Sequence, residues 1–342
     1  MSVIKQQPAH ELEQAPTLPD YVYAPNALVN TFSLLLMGRW GTGKTVMAGS
    51  SNYPILFYMF DPKSAIVLRR HYPEQWKNGM IQVLPFWDER KDLPTQFARF
   101  DYFFSRHKRS GVLDNYGTIV VDSFTTFSRA IYNHWLLYKN WERRKRQEIA
   151  RKGDPENLIA MSEFAIGDYQ GFYSACQDIV SMISSTEANF IMTGHLKEVE
   201  NEKTKIISQR LQTFGQLSTI LPAMFSEKWV ILKKKIVQPP WNTFSILTKD
   251  FGQYEASTQI GAGIFEKDEK ADLRYLLKKA DMQWEDKPFF AVPELREGTP
   301  EQTEFNKTWE DLNKEDARKY PIISPQGLNT WIDEKMKSEA NQ

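Results

Sequence analysis

Gly38-Arg39-Trp40-Gly41-Thr42-Gly43-Lys44-Thr45 follows directly on the apolar run Phe32-Ser33-Leu34-Leu35-Leu36-Met37. The octet satisfies the pattern G-x-x-x-x-G-K-[ST], and the run before it predicts a buried strand. Such a loop is an anion cradle. Its glycines let the backbone curl so that successive N–H groups point inward, and the start of the following helix adds partial positive charge. Gly38, Arg39, Trp40, Gly41, Thr42, Gly43, Lys44, Thr45 and Val46 are therefore the expected nucleotide contacts. Among them Lys44 is expected to neutralise the β- and γ-phosphates, and the Thr45 hydroxyl to ligate Mg²⁺.

Working outward, strand-like and helix-like stretches alternate. Ile55 to Phe60 is a second apolar strand, ending at Asp61-Pro62, and Ile81 to Leu84 is a short third. Thr95 to Arg106 carries Phe97, Phe100, Phe103 and Phe104 on one helical stripe. Gly117 to Asp122 and Asn189 to His195 read as further strands. Between them lie a helical stretch, Thr125 to Lys152, with the basic block Arg143-Arg144-Lys145-Arg146, and a second helix, Tyr169 to Ser184. In that second helix Phe172, Ala175, Cys176, Ile179 and Ile183 recur at helical spacing, so Cys176 is expected to be packed rather than reactive. Trp229 to Leu232 and Phe244 to Leu247 flank Gln238-Pro239-Pro240-Trp241, which predicts an antiparallel pair closing the sheet. Ala271 to Ala280 reads as a short helix. The whole is an α/β pattern: a mostly parallel central sheet flanked by helices, with nucleotide at its carboxyl edge.

The expected organisation is a flexible, Pro-punctuated arm over 1–29, one domain over 30–285 and a charged extension over 286–342. Lys and Arg number 43, as do Asp and Glu, so nucleic-acid binding must come from local patches rather than a global field. The single cysteine excludes an internal disulfide framework and a Cys-based zinc site, and fits a reducing cytoplasm. No apolar run approaches the ~18–20 residues needed to span a bilayer, so no membrane partner is expected.

Three strand ends and one loop carry the remaining chemistry. Asp122, followed by Ser123, fits a carboxylate that holds the Mg²⁺ shell; both residue types also cap helices well. Asp61 ends the strand after the phosphate-loop helix, where a carboxylate can orient an attacking water, or simply serve the turn before Pro62. His195 closes its strand where a polar side chain can sense the γ-phosphate and relay its presence onward. The stretch Lys197 to Arg210 is polar and reads as a surface loop. Its Lys197, Lys203, Lys205 and Arg210, with Phe214 beyond, suit a single-strand groove in which cations track phosphates and a ring stacks on bases. Lys228 and Lys233-Lys234-Lys235 could supply a cation to a neighbouring subunit's γ-phosphate.

Taken together, GRWGTGKT at 38–45, ILFYMFD at 55–61, GTIVVDSFTTF at 117–127 and NFIMTGH at 189–195 resemble the phage-encoded RecA-like P-loop ATPases associated with single-strand annealing and recombination. FSILTKD with QIGAG at 259–263, ADLRYLLKKA at 271–280, and Ile166-Gly167-Asp168-Tyr169 extend the resemblance over roughly residues 30–282. The resemblance implies a RecA-like core, ATP with Mg²⁺, and homo-oligomers holding ATP between subunits. It also implies that Asp122 is the Walker B residue, that His195 is the γ-phosphate sensor, and that the segment after His195 contacts single-stranded DNA. A single-strand-binding protein is an implied partner, and the host cytoplasm the implied location. RecA-like proteins often carry a catalytic Glu two residues beyond the strand-end Asp; here that position is Lys63. Hydrolysis is then expected to be slow or DNA-stimulated, with Asp61 as substitute. Two other classes fit the same residues: a nucleotide-controlled assembly protein or switch, and a motor or loader subunit without direct DNA binding.

Overall fold

Apolar runs without alternation become the centre of the sheet. In the computed structural model, which describes residues 31–61, 64–86, 96–135, 166–200, 205, 207–238, 240, 242–282, 285–303 and 305, β1 (Ser33–Gly38) leads into the phosphate loop and a short helix, α1 (Lys44–Ala48). β2 (Ile55–Met59), α2 (Ala65–His71), α3 (Pro73–Lys77), β3 (Ile81–Pro85) and α4 (Gln96–Ser110) follow. β4 (Thr118–Asp122) runs into a helix over 124–135, here α5. Next come α6 (Ile166–Ser184), β5 (Asn189–Glu200), β6 (Ile207–Leu211), α7 (Leu217–Ile220), β7 (Glu227–Lys235), β8 (Asn242–Leu247), β9 (Asp268–Lys270) and α8 (Leu273–Lys279). The N-terminal arm, Lys63, Lys203, the block 143–146 and the stretch from 306 onward lie outside the described residues.

The strand order is β3-β2-β4-β5-β1-β7-β8-β9, with β6 paired to β5 alone. Every pairing from β3 to β7 is parallel, and β8 and β9 close the sheet antiparallel. β5 is thus interposed between the phosphate-loop strand β1 and the Asp122 strand β4. Registers fix what meets at the carboxyl edge: Gly38 lies opposite His195, and Met59 opposite Asp122. This is the mostly parallel α/β sheet expected from the sequence, including its late antiparallel pair.

Strand alternation splits the core into two layers. Leu35, Met37, Tyr58, Phe60, Ile119 and Val121 face one side, packed on α4, α5 and α6. Leu34, Leu36, Ile55, Phe57 and Val120 face the other, packed on α1, α2 and α8. A parallel sheet covered on both faces needs apolar residues at every position, which is why these strands read as unbroken runs. The first layer is rich in rings. Phe100 meets Tyr58 edge-on at 5.3 Å, and Phe60 meets Phe127 at 4.7 Å. At about 1.5–3 kcal/mol per buried side chain, this layer outweighs any surface ion pair as a source of stability.

Residues beyond 285 dock on this core. Val292 is fully buried, its N–H donates to the Tyr116 hydroxyl at 2.9 Å, and Phe305 packs on Phe103. Among the described residues no helix is long and apolar enough to cross a membrane.

The segment after His195 corrects one expectation. The described residues of this stretch form paired strands, not an irregular loop: β5 runs on to Glu200 and pairs antiparallel with β6 as a β-hairpin, Leu196 opposite Leu211 and Lys197 opposite Arg210. The hairpin continues past the residues that β1 pairs, and charged and polar side chains occupy most of its positions, exposed at Glu198, Glu200 and Arg210 and buried at Gln209. The two-residue hydrophobic alternation that marks a strand is therefore nearly erased.

Candidate nucleotide site

The phosphate loop is built by close approach and by backbone shape. A Cβ on Gly38 would sit 2.6 Å from both Ile231 Cγ2 and Thr42 Oγ1, so only glycine lets β1 turn here against β7. Gly43 adopts φ +87° at the start of α1, a conformation that a side chain would strain. The Thr42 hydroxyl donates to the Arg39 carbonyl at 2.8 Å and closes the loop on itself. The resulting cleft encloses about 720 Å³ and is bordered by the loop, Lys44, Thr45, Asp61, Asp122 and His195.

Lys44 is buried, and its Nζ donates to the carbonyls of Gly38 (3.1 Å) and Arg39 (3.0 Å). Burial lowers its pKa to about 8, against the pull of Asp122 and Asp61. The ammonium lies 3.3 Å from His195 Nδ1. An ammonium only donates, so Nδ1 is the acceptor and the imidazole carries its proton on Nε2. That nitrogen faces Asp61 Oδ2 at 3.8 Å. His195 thus spans the gap between the phosphate-loop lysine and the strand-end carboxylate. Its own backbone N–H donates to Thr125 Oγ1 at 3.0 Å, which anchors β5 to α5.

Asp122 is almost wholly buried. Thr45 donates to its Oδ2 at 2.7 Å, and Thr193 donates to its Oδ1. Burial, and then the nearby Asp61, push its pKa up; the two hydroxyls and Lys44 oppose this without cancelling it. A buried carboxylate short of positive charge, beside a threonine hydroxyl, is a fitting donor pair for Mg²⁺, which takes few protein ligands and completes its shell with phosphate and water. The peptide bond from Asp122 to Ser123 is cis.

Asp61 reaches the same cleft from β2. Ser123 Oγ donates to its Oδ1 at 3.0 Å, and Thr126 Oγ1 donates to the same oxygen. Burial works to raise its pKa, but the nearby His195 imidazole and the hydroxyls of Thr126 and Ser123 outweigh it and hold it below the ordinary carboxylate value.

The strand-end candidates Lys44, Thr45, Asp61, Asp122 and His195 therefore converge on one cleft. Of the residues proposed for DNA contact, Lys203 lies outside the described residues and the others differ in their surroundings. Lys197 and Arg210 sit across from each other on the hairpin, and Lys197 Nζ is engaged by the Thr213 carbonyl at 3.0 Å. Lys205 is exposed and pairs with Glu200 at 3.3 Å. Phe214 is not an open stacking platform: Tyr132 lies parallel on its ring at 4.5 Å, and Phe172 meets it edge-on. Its aromatic character serves packing against α5 and α6. Trp40, at the loop apex, is 88% exposed.

Several residues of the site carried no sequence signal of their own. Thr193, Ser123 and Thr126 are ordinary strand and cap residues until the fold sets them on the two aspartates. Phe244 of β8 borders the cleft through a strand pairing that a local pattern does not reveal. The apex residue Arg39 is paired with Glu198 of the hairpin, and Gln209 Nε2 donates to the same carboxylate oxygen at 3.0 Å.

Strand order, loop and site together define an α/β protein with a phosphate loop at the carboxyl edge of a mostly parallel sheet. No family model matches the chain, and no curated protein does. Among solved structures it is similar to the flagellar accessory protein FlaH from Methanocaldococcus jannaschii, at 11% identity over 69% of this chain and 83% of that one, with a TM-score of 0.35. It is also similar to a KaiC-like protein from Pyrococcus horikoshii, at 12% identity over 67% of this chain and 83% of that one, with a TM-score of 0.33. At this degree of overlap, the strand order and the convergent side chains carry the assignment.

Proposed function

We propose that this chain is a Mg²⁺-dependent ATPase of the RecA-like type that couples nucleotide state to single-stranded DNA, in the manner of phage annealing and recombination ATPases. The observation that carries the ATPase reading is the convergence of Lys44, Thr45, Asp122, Asp61 and His195 on the cleft beside the phosphate loop. Lys44 and the loop amides hold the phosphates. Thr45 and Asp122 hold the metal ion. Bound Mg²⁺ neutralises charge on the phosphate oxygens. Asp61 orients the attacking water. Its depressed pKa makes it a weak base near neutrality, so orientation rather than proton abstraction is its role, and turnover is slow.

His195 is suited to sensing. On phosphate binding Lys44 turns from the imidazole to the ligand, which leaves Nδ1 without its donor and resets the contact with Asp61. The hairpin that follows His195 is tied to the loop apex by Arg39 and Glu198, so both ends of the signal reach one element. Exposed Lys205 and Arg210 on that hairpin support contact with DNA phosphates. The chain acts as a homo-oligomer with ATP between subunits, in the host cytoplasm.

A second reading rests on a specific observation. The hairpin's Lys205 is matched by its own Glu200, and the chain's net charge is zero. That balance favours a nucleotide-controlled switch, or a motor or loader subunit, whose hairpin meets a protein. ATP hydrolysis by the purified chain, with and without an unstructured single-stranded oligonucleotide at low and moderate salt, separates the two. Stimulation that fades with salt supports the DNA reading. Hydrolysis indifferent to DNA at both salts would overturn it in favour of the switch.

A further inference from the structure

We propose that Phe244 is the base-stacking residue of this cleft, and that the site recognises a nucleobase by its face rather than its edge, accepting adenine and guanine triphosphates alike. The proposal rests on the nucleotide reading above and deepens it.

Phe244 lies directly across from Lys233 in the β7–β8 pair, two residues beyond the pair of Ile231 and Ile246, and so shares their face. Ile231 and Ile246 are buried in the layer beneath the phosphate loop. Phe244 continues that face outward, past the edge of the core, and stays 41% exposed. Its ring lies 3.7 Å from where a Gly43 side chain would begin, against the glycine that opens α1. A ring is thus held beside the phosphate cradle with part of its surface open to the same cleft. Phe214, by contrast, has its ring covered by Tyr132.

The cleft is divided by chemistry. Its charged groups cluster where the phosphates belong. The remaining wall includes Val67, Ile231, Phe244 and Ala271. Of the polar side chains outside the phosphate region, Ser64 already donates to the Asp61 carbonyl, which leaves His71 and the indole N–H of Trp40 among the described lining residues to meet a base edge, too few to tell one purine from another. Discrimination between adenine and guanine needs several placed donors and acceptors, whereas stacking on an aromatic ring works with any base because every base has a π-face. Purines offer more face than pyrimidines, so the expected order is ATP and GTP together, then CTP.

Calorimetric titration of the full chain with ATP, GTP, CTP and inorganic tripolyphosphate, each with Mg²⁺, tests this in wild type, Phe244→Ala and Phe244→Tyr. The expected result is a loss of about tenfold in ATP and GTP affinity in Phe244→Ala, from the stacking it removes. Tripolyphosphate affinity is expected to stay unchanged, and Phe244→Tyr to bind as wild type does. ATP affinity unaltered in Phe244→Ala would overturn the proposal, as would an equal loss for tripolyphosphate, which would mark the ring as a prop for the loop. A wild-type preference of ATP over GTP greater than about a hundredfold would overturn face recognition, because stacking differences between purines are far smaller. Wild-type protein that binds neither ATP nor tripolyphosphate would remove the nucleotide reading itself, and this proposal with it.

Discussion

Two histidines in this molecule have the same wiring and different surroundings. His195 lies between the Lys44 ammonium and Asp61; His107 lies between the Tyr58 hydroxyl, at 2.7 Å from Nδ1, and Glu294, at 3.0 Å from Nε2. The His107–Glu294 pair is sealed, each side chain 2% exposed, whereas His195 and Asp61 are 20% and 25% exposed. The sealed contact is short and its partners sit in the core beside β2 and α4. The open contact is long, and one partner is a lysine that a phosphate can take away. A buried imidazole–carboxylate pair resists exchange with water and so locks chain to chain. The same pair at a cleft mouth is free to change partners. Burial, more than residue type, separates the structural pair from the chemical one.

The largest expected effect falls on the sealed pair. His107→Ala leaves Glu294 buried without its partner, and should destabilise the fold by about 3–5 kcal/mol. Thermal unfolding checks this, with ATP affinity expected to stay intact in the protein that remains folded. The pH dependence follows from Glu294. Burial works to raise its pKa, but the His107 hydrogen bond and charge outweigh it and hold the group below the ordinary value of 4.5. A depressed carboxylate stabilises the fold fully above that ordinary value, and the contribution disappears as pH falls through the lower folded value. Acid titration of the melting temperature should therefore drop below about pH 4.5 in wild type, and more shallowly in Glu294→Gln.

On the open side the expected losses are functional. Lys44→Ala should lower ATP affinity by about a hundredfold or more, since charge-assisted hydrogen bonds to phosphate are among the strong ones. Its melting temperature should not fall, because the substitution removes a buried charge whose desolvation is unfavourable. Unchanged ATP affinity would sink the phosphate-loop assignment. His195→Ala should come next: turnover reduced by about ten- to a hundredfold, ATP affinity changed little, and stability near wild type. If it melts as early as His107→Ala, the contrast between the two histidines is lost.

Lys44 also gives the open network a pH signature of opposite sense to the sealed one. Free Lys44 titrates at about pH 8, and phosphate binds its protonated form. Apparent ATP affinity should therefore fall as pH rises above 8, by up to about tenfold per unit. Nucleotide titrations between pH 7 and 10 check this, and a flat profile would place the lysine proton outside the binding step.

The contrast also explains what the sequence could reveal. The phosphate loop, Asp61, Asp122 and His195 all sit within or immediately after unbroken apolar runs, and the end of a parallel strand lies at the sheet edge whatever the rest of the chain does. Their convergence was legible for that reason. The pair of His107 and Glu294 was not, because the two are brought together by a docking event between distant parts of the chain, and neither residue stands in a pattern. The apolar run from Phe244 predicts a strand, yet the facing of Phe244 is set by pairing with Lys233 rather than by its neighbours in sequence. Charge concealed the hairpin, and Phe214 looked like a platform because an aromatic among cations gives no hint that Tyr132 will cover it.

The smallest stability effect belongs to the link that joins the open network to the hairpin. Arg39 and Glu198 are more than half exposed, and such a pair contributes only about 0.2–1 kcal/mol, so Arg39→Ala should barely move the melting temperature. Glu198 is not orphaned by the change, since Gln209 still donates to it. What the substitution removes is the side-chain tie between the loop apex and the hairpin, leaving His195, in β5 just before the hairpin pairing begins, as the other route. Hydrogen exchange over 196–211, measured with and without ATP, reads that loss directly. Wild type should show hairpin protection that changes with ATP, and Arg39→Ala should show a smaller change at equal nucleotide occupancy. A response undiminished in Arg39→Ala and lost in His195→Ala would assign the signal to the histidine alone. One undiminished in both would mean that neither contact carries the nucleotide's state to the hairpin, and the open network would then serve binding without signalling.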